Sequence, residues 1–177
     1  MQRRMPSVVA PTRENWYPPP MPDDLYHRDV LAWSEHQADL LRRVGRGERV
    51  NDIDWDLVAE EIEDVGLSEL HSVESILELI LAHLMKIHGW PDSPSVRHWW
   101  SEVVTFQRNM RRRFAPSMRQ RIDMADAYAG ALETLEPQQF DGQAPRPWPT
   151  TCPFTLDQLL MERRTGLEAI LFAPTEG

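Results

Sequence analysis

The sequence predicts an all-α protein, an antiparallel bundle of four to five helices. Apolar residues recur at three- and four-residue intervals over most of the chain, and no run alternates apolar and polar residues over the length of a strand. Prolines gather before residue 23 and between residues 137 and 153, leaving the periodic stretches almost free of them. With 177 residues of which 41% are hydrophobic, the chain can bury one core of ordinary size. A single domain over residues 23–173 is expected, flanked by a proline-rich tail over 1–22 and a short tail over 174–177.

Taken in order, the tail carries Pro6, Pro11, Pro18, Pro19, Pro20 and Pro22, whose missing amides disfavour helix and sheet alike. Trp16 and Tyr17 could pin it to the domain. From Asp23 or Asp24 as cap, Leu25 to Val44 reads as a first helix with Tyr26, Val30, Trp33, Leu40, Leu41 and Val44 turned inward. Gly45 and Gly47 end it, and the polar linker that follows is short enough to fold the next helix back against it.

That second helix, Asp54 to Ile87, is the centre of the pattern. At about 100° per residue, Val58, Ile62, Val65, Val73, Ile76, Ile80, Leu84 and Ile87 fall in one sector, which is expected to face the core. Glu60, Asp64, Glu74 and Glu78 fall opposite and are expected in water. Asp54 or Asp56 can cap its first amides. Gly66 costs roughly 1 kcal/mol in a helix interior, so a kink or a close helix contact is expected there.

The run HGWPDSPS stops the long helix, with Ser95 as cap for a third from Val96 to Phe114. Its stripe is Val96, Trp99, Trp100, Val103, Phe106, Met110 and Phe114. Pro116 closes it, and Ser117 with Gln120 has the spacing of a capping box for a fourth helix through Ile122, Tyr128, Leu132 and Leu135. Residues 137–153 should wrap over the bundle without regular structure, anchored by Phe140 and Trp148. Thr155 and Gln158 repeat the capping-box spacing before a short last helix through Leu156, Leu159 and Leu160, which Gly166 interrupts.

Charge and composition narrow the function classes. The balance of 28 acidic against 19 basic residues leaves −9, which repels phosphate backbones, so nucleic acid is an unlikely partner. The lone Cys152 excludes an internal disulfide and a cysteine-based zinc site, and no apolar run reaches membrane-spanning length. The opening MQRRMPSVVAP does not resemble a secretory signal, and a cytoplasmic protein is expected.

Four polar residues occupy helical positions where the pattern wants apolar ones: Gln37, Glu69, His83 and Gln107. Buried without partners, each would cost about 1 to 3 kcal/mol, so they are expected to be bonded, separately or to one another. Glu69 and His83 stand roughly 21 Å apart along one helix and cannot share a metal. There is no Glu-x-x-His pair, no glycine-rich phosphate loop and no Gly-x-Ser-x-Gly elbow, so no catalytic residue, cofactor or metal is expected. Arg108, Arg111, Arg112, Arg113, Arg119 and Arg121 crowd one segment. With Glu60, Glu61, Glu63 and Asp64 available, they read first as charge-pairing groups and then as a face for an acidic protein partner.

Several of these residues together resemble one family. Tyr26, Asp29, Trp33, Gln37 and Leu41, the stretch AEEIEDVG (Ala59 to Gly66), AHLMK (Ala82 to Lys86), Trp99 with Gln107 and Arg108, Pro116 with Ser117, and TCPFTLDQLL (Thr151 to Leu160) are similar to the domain of unknown function 29 family, small bacterial proteins. The resemblance implies an all-helical bundle with no established activity, and it singles out Gln37, Glu61, His83 and Gln107 as motif positions. The prolines before Asp23, those at 145, 147 and 149, and the extension after Leu160 depart from it.

The function expected from all this is a non-catalytic module that self-associates or binds a protein partner. A small metal-dependent enzyme with a site between helices around Glu61, Glu69, His83 and Gln107 is the alternative. A nucleic-acid-binding or toxin-antitoxin component using Arg108 to Arg121 comes third.

Overall fold

A computed structural model of the chain describes residues 22–135, 140 and 142–173, with side chains from residue 25 onward. The tails expected over 1–22 and 174–177 lie outside the described residues, apart from Pro22. The described residues form seven α-helices: α1 Pro22–Arg28, α2 Val30–Gly45, α3 Trp55–Gly89, α4 Val96–Arg113, α5 Met124–Glu133, α6 Leu156–Met161 and α7 Arg164–Leu171, with a 3-10 turn at Pro116–Met118. The all-helical class is as expected; a single isolated bridge pairs Phe140 with Gln143. Backbone contacts divide the chain into two compact units, residues 1–62 and 63–177, and α3 contributes to each.

In the first unit the helix expected over Leu25–Val44 is two helices. Asp29 adopts an extended φ of −153° and its carboxylate accepts the Ala32 amide at 3.0 Å, so it caps α2 instead of continuing α1. The break resets the phase: Trp33, Gln37 and Leu40 are buried, whereas Val30 and Val44, expected inward, are exposed. Tyr26 packs edge-on against Trp33 at 5.0 Å. Gly47 takes a positive φ of 83°, the left-handed step that turns the chain out of α2.

The second unit is built on the later turns of α3. Val73, Leu77, Ile80, Leu81, Leu84 and Ile87 are buried, joined by Trp100, Val103, Met110, Ala131, Leu135, Leu159 and Leu167. The central stripe thus holds from Val73 onward; before it Val58 is buried as expected, whereas Ile62 and Val65 are each 68% exposed. Within the second unit α4 runs antiparallel to the later turns of α3 and ends at Arg113, whose guanidinium reaches Glu69 at 3.0 Å, so Val65 lies beyond the end of α4. Gly66 marks neither a break nor a contact: α3 is continuous through it and nothing approaches within 4 Å of the place of a Cβ.

The aromatic stripe of α4 packs as expected, with Trp99, Trp100, Val103 and Met110 buried and Val96, Phe106 and Phe114 half-buried against them. Two caps differ. Ser95 precedes α4 without a side-chain bond to it. Ser117 lies in the 3-10 turn, and the fourth expected helix starts instead at Met124, where Asp123 accepts the amides of Ala125 at 2.8 Å and Asp126 at 3.2 Å. Pro116 and the tight turn after it consume the residues that a capping box would have organised.

The proline-rich stretch wraps the end of α3 as anticipated. Trp148 donates its indole N–H to the Met85 carbonyl at 3.2 Å, Trp90 donates to Gln143 at 2.8 Å, and Trp90 meets the Phe140 ring edge-on at 4.8 Å. Gly89 permits this approach: a Cβ there would stand 3.0 Å from that of Pro145. The capping box of α6 is present, Thr155 and Gln158 exchanging bonds of 2.8 and 3.3 Å. Gly166 does not interrupt the last helix. The chain breaks at Glu162 and Arg163, and Gly166 sits inside α7, where the Glu162 carboxylate fills the space of its missing side chain.

Candidate interaction surface

The polar motif residues each have a local partner. Gln37, buried in α2, accepts the Asp54 amide at 3.1 Å, and Asp54 in turn accepts from the Leu57 amide at 3.2 Å, so the pair ties the entry of α3 to α2. Glu61 accepts the Tyr26 hydroxyl at 2.5 Å, holding α1 to the second turn of α3. Gln107, buried in α4, donates to the carbonyls of Leu159 at 2.7 Å and Glu162 at 3.2 Å, groups left unpaired where α6 ends. His83 bonds the Leu79 carbonyl at 2.8 Å with Phe106 edge-on at 5.4 Å, and burial lowers its pKa from the usual histidine value. Glu69, placed inward by the sequence pattern, is exposed and pairs with Arg113. Among the described residues no three or more His, Cys, Asp or Glu side chains are grouped to hold a metal ion.

The arginines divide. Arg113 pairs with Glu69 at 3.0 Å and Arg119 with Asp157 at 2.6 Å, so these partners are not the Glu60–Asp64 group expected from the sequence. Arg119 also lies over the Phe114 ring at 5.5 Å, and Arg164 over Trp100 at 5.0 Å. Arg111 donates through Nε to the Leu160 carbonyl and is exposed. Arg108, Arg112 and Arg121 are exposed.

Among the exposed apolar groups, which also include Val30 and Leu31 on α2, two features are flanked by charge. One is on α3, where Trp55, Ile62 and Val65 are 59%, 68% and 68% exposed with Glu61 and Glu63 beside them. The other is an open cleft of about 460 Å³ at the C-terminal end of α4, lined by Arg111, Phe114, Leu160, Met161 and Arg163. Met161, its outermost apolar group, is 78% exposed. The sequence reading missed Met161 and Arg163. The available signal was a methionine falling out of phase after Leu159 and Leu160, with Glu162 and then the basic pair Arg163 and Arg164 after it.

These observations define a small all-helical protein whose embedded glutamines brace helix ends and whose accessible apolar groups sit among charges. Residues 25–164 match the family described as Domain of unknown function DUF29, and the chain belongs to that family. It is similar to a solved α-helical protein of unknown function from Rhodospirillum rubrum, with 29% identity and a TM-score of 0.56 over 82% of this chain and 94% of that one. No curated protein matches it. Among the described residues no helix is long and apolar enough to cross a membrane.

Proposed function

We propose that the chain is a non-catalytic protein-interaction module whose contact surface is the uncovered face of α3. The observation that carries this reading is the pair Ile62 and Val65, each 68% exposed in the interior of a 35-residue helix. Burying a branched aliphatic side chain contributes on the order of 1.5 to 3 kcal/mol, and these two stand one turn apart, where a single partner can cover both. The separate bonds of Gln37 and Gln107 support bracing over chemistry for the motif residues. The lone Cys152 and the charge of −9 support a cytoplasmic setting.

Site-specific photocrosslinking in the native cell tests the reading. A photoreactive residue at position 62 or 65 is expected to give a discrete protein adduct, and the same residue at position 60, on the opposite side of the helix, is expected to give none. No adduct from 62 and 65, or equal adducts from all three positions, would contradict it.

A further inference from the structure

We infer that the partner is a second copy of this chain, and that the face of α3 around Ile62 and Val65 docks into the second copy's cleft lined by Arg111, Phe114, Leu160, Met161 and Arg163. The inference rests on the interaction reading just given and names the occupant.

Charge complementarity carries it. Two copies at −9 each repel over most of their surfaces, so contact between them requires a place where the local sign reverses. The end of α4 is such a place: Arg111 and Arg163 are exposed and line the cleft, and Arg108 and Arg112 are exposed on the same stretch of α4. The helix face offered to it carries the opposite sign, with the half-exposed Glu61 flanking it one turn before Val65. Apolar groups match as well. Ile62 and Val65 meet Phe114, Leu160 and Met161, and Met161 is an adaptable, unbranched side chain suited to packing against β-branched ones. The Glu61 carboxylate, one oxygen of which accepts the Tyr26 hydroxyl, then falls toward Arg111 and Arg163.

Face and cleft are different surfaces, so the contact is heterologous: each copy supplies one of each. That property gives a test by complementation. Sedimentation velocity of the full chain is expected to show a species larger than the monomer. Ile62→Glu with Val65→Glu abolishes the face, Met161→Glu with Arg163→Glu abolishes the cleft, and each double variant alone is expected to sediment as a monomer with unchanged helical circular dichroism. All four positions are exposed, which keeps the fold out of the readout. Mixing the two variants restores one intact face and one intact cleft, and a two-subunit species is expected to return. A monomeric wild-type chain, a cleft variant that still associates, or a mixture that stays monomeric would overturn the inference. A crosslink from position 62 to some other protein, with the wild type monomeric, would overturn it while leaving the interaction reading in place.

Discussion

The glutamines that the sequence pattern marks as misplaced prove to be braces between segments far apart in the chain. Gln37 is 17 residues from Asp54, and Gln107 is 52 from Leu159. Each is buried and each bonds a backbone group at a helix end, where the ladder leaves donors or acceptors without partners. That polar residues at those positions must be bonded was legible from burial cost alone. Which groups they bond was not, because a backbone carbonyl carries no signature in sequence. His83 gives this scale its prediction. Desolvation is the main cause that lowers its pKa, with Lys86 and His98 adding to it and the Leu79 carbonyl and Glu102 opposing. The folded state therefore binds that proton more weakly than the unfolded state. The contribution is present in full above the ordinary histidine pKa of about 6.5 and is lost as pH falls through that value toward the lower folded one. Thermal midpoints taken from about pH 7.5 down to 5.5 should fall more steeply for the wild type than for His83→Gln, and parallel curves would refute the assignment.

Among the elements, α3 shows why an amphipathic pattern is not a burial map. The period of its apolar residues was read correctly over the whole stretch, and from Val73 on the predicted face is the core. At Val65 the same face is wet, because period depends on the helix itself whereas burial depends on the length of its neighbour, and α4 stops at Arg113; further back on the stripe Val58 is buried. Caps went the same way. Thr155 and Gln158 reciprocate as their spacing implies, while Ser117 loses its role to Asp123 because Pro116 starts a tighter turn first. The two glycines of α3 make the contrast testable. Gly66 has open space around it, so Gly66→Ala should raise stability by about 0.4 to 1 kcal/mol through the unfolded chain's lost freedom. Gly89→Ala would push a methyl against Pro145 and the Trp148 indole, 3.0 and 3.2 Å away, and should lower it. Urea unfolding of both variants checks the signs, and the same sign for both would contradict this description of α3.

At the scale of the molecule, helical class and family membership were readable from periodicity and from motif residues spread over Tyr26 to Leu160, and the structure and the match over residues 25–164 agree with them. The interaction surface was half legible. The charges at Glu61, Glu63 and the arginine cluster were visible, but the apolar groups they flank had been assigned to the core or overlooked. Ile62 and Val65 carry the same signal as Ile80 and Leu84, and periodicity alone does not separate a buried pair from an open one. The central claim is that this part of α3 lies open within a single chain. Thiol labelling at high dilution, with Cys152→Ser as background, compares Ile62→Cys with Leu84→Cys most directly. Reaction at position 62 near the rate of the unfolded chain, with position 84 protected, is the predicted result; equal protection of the two would contradict it.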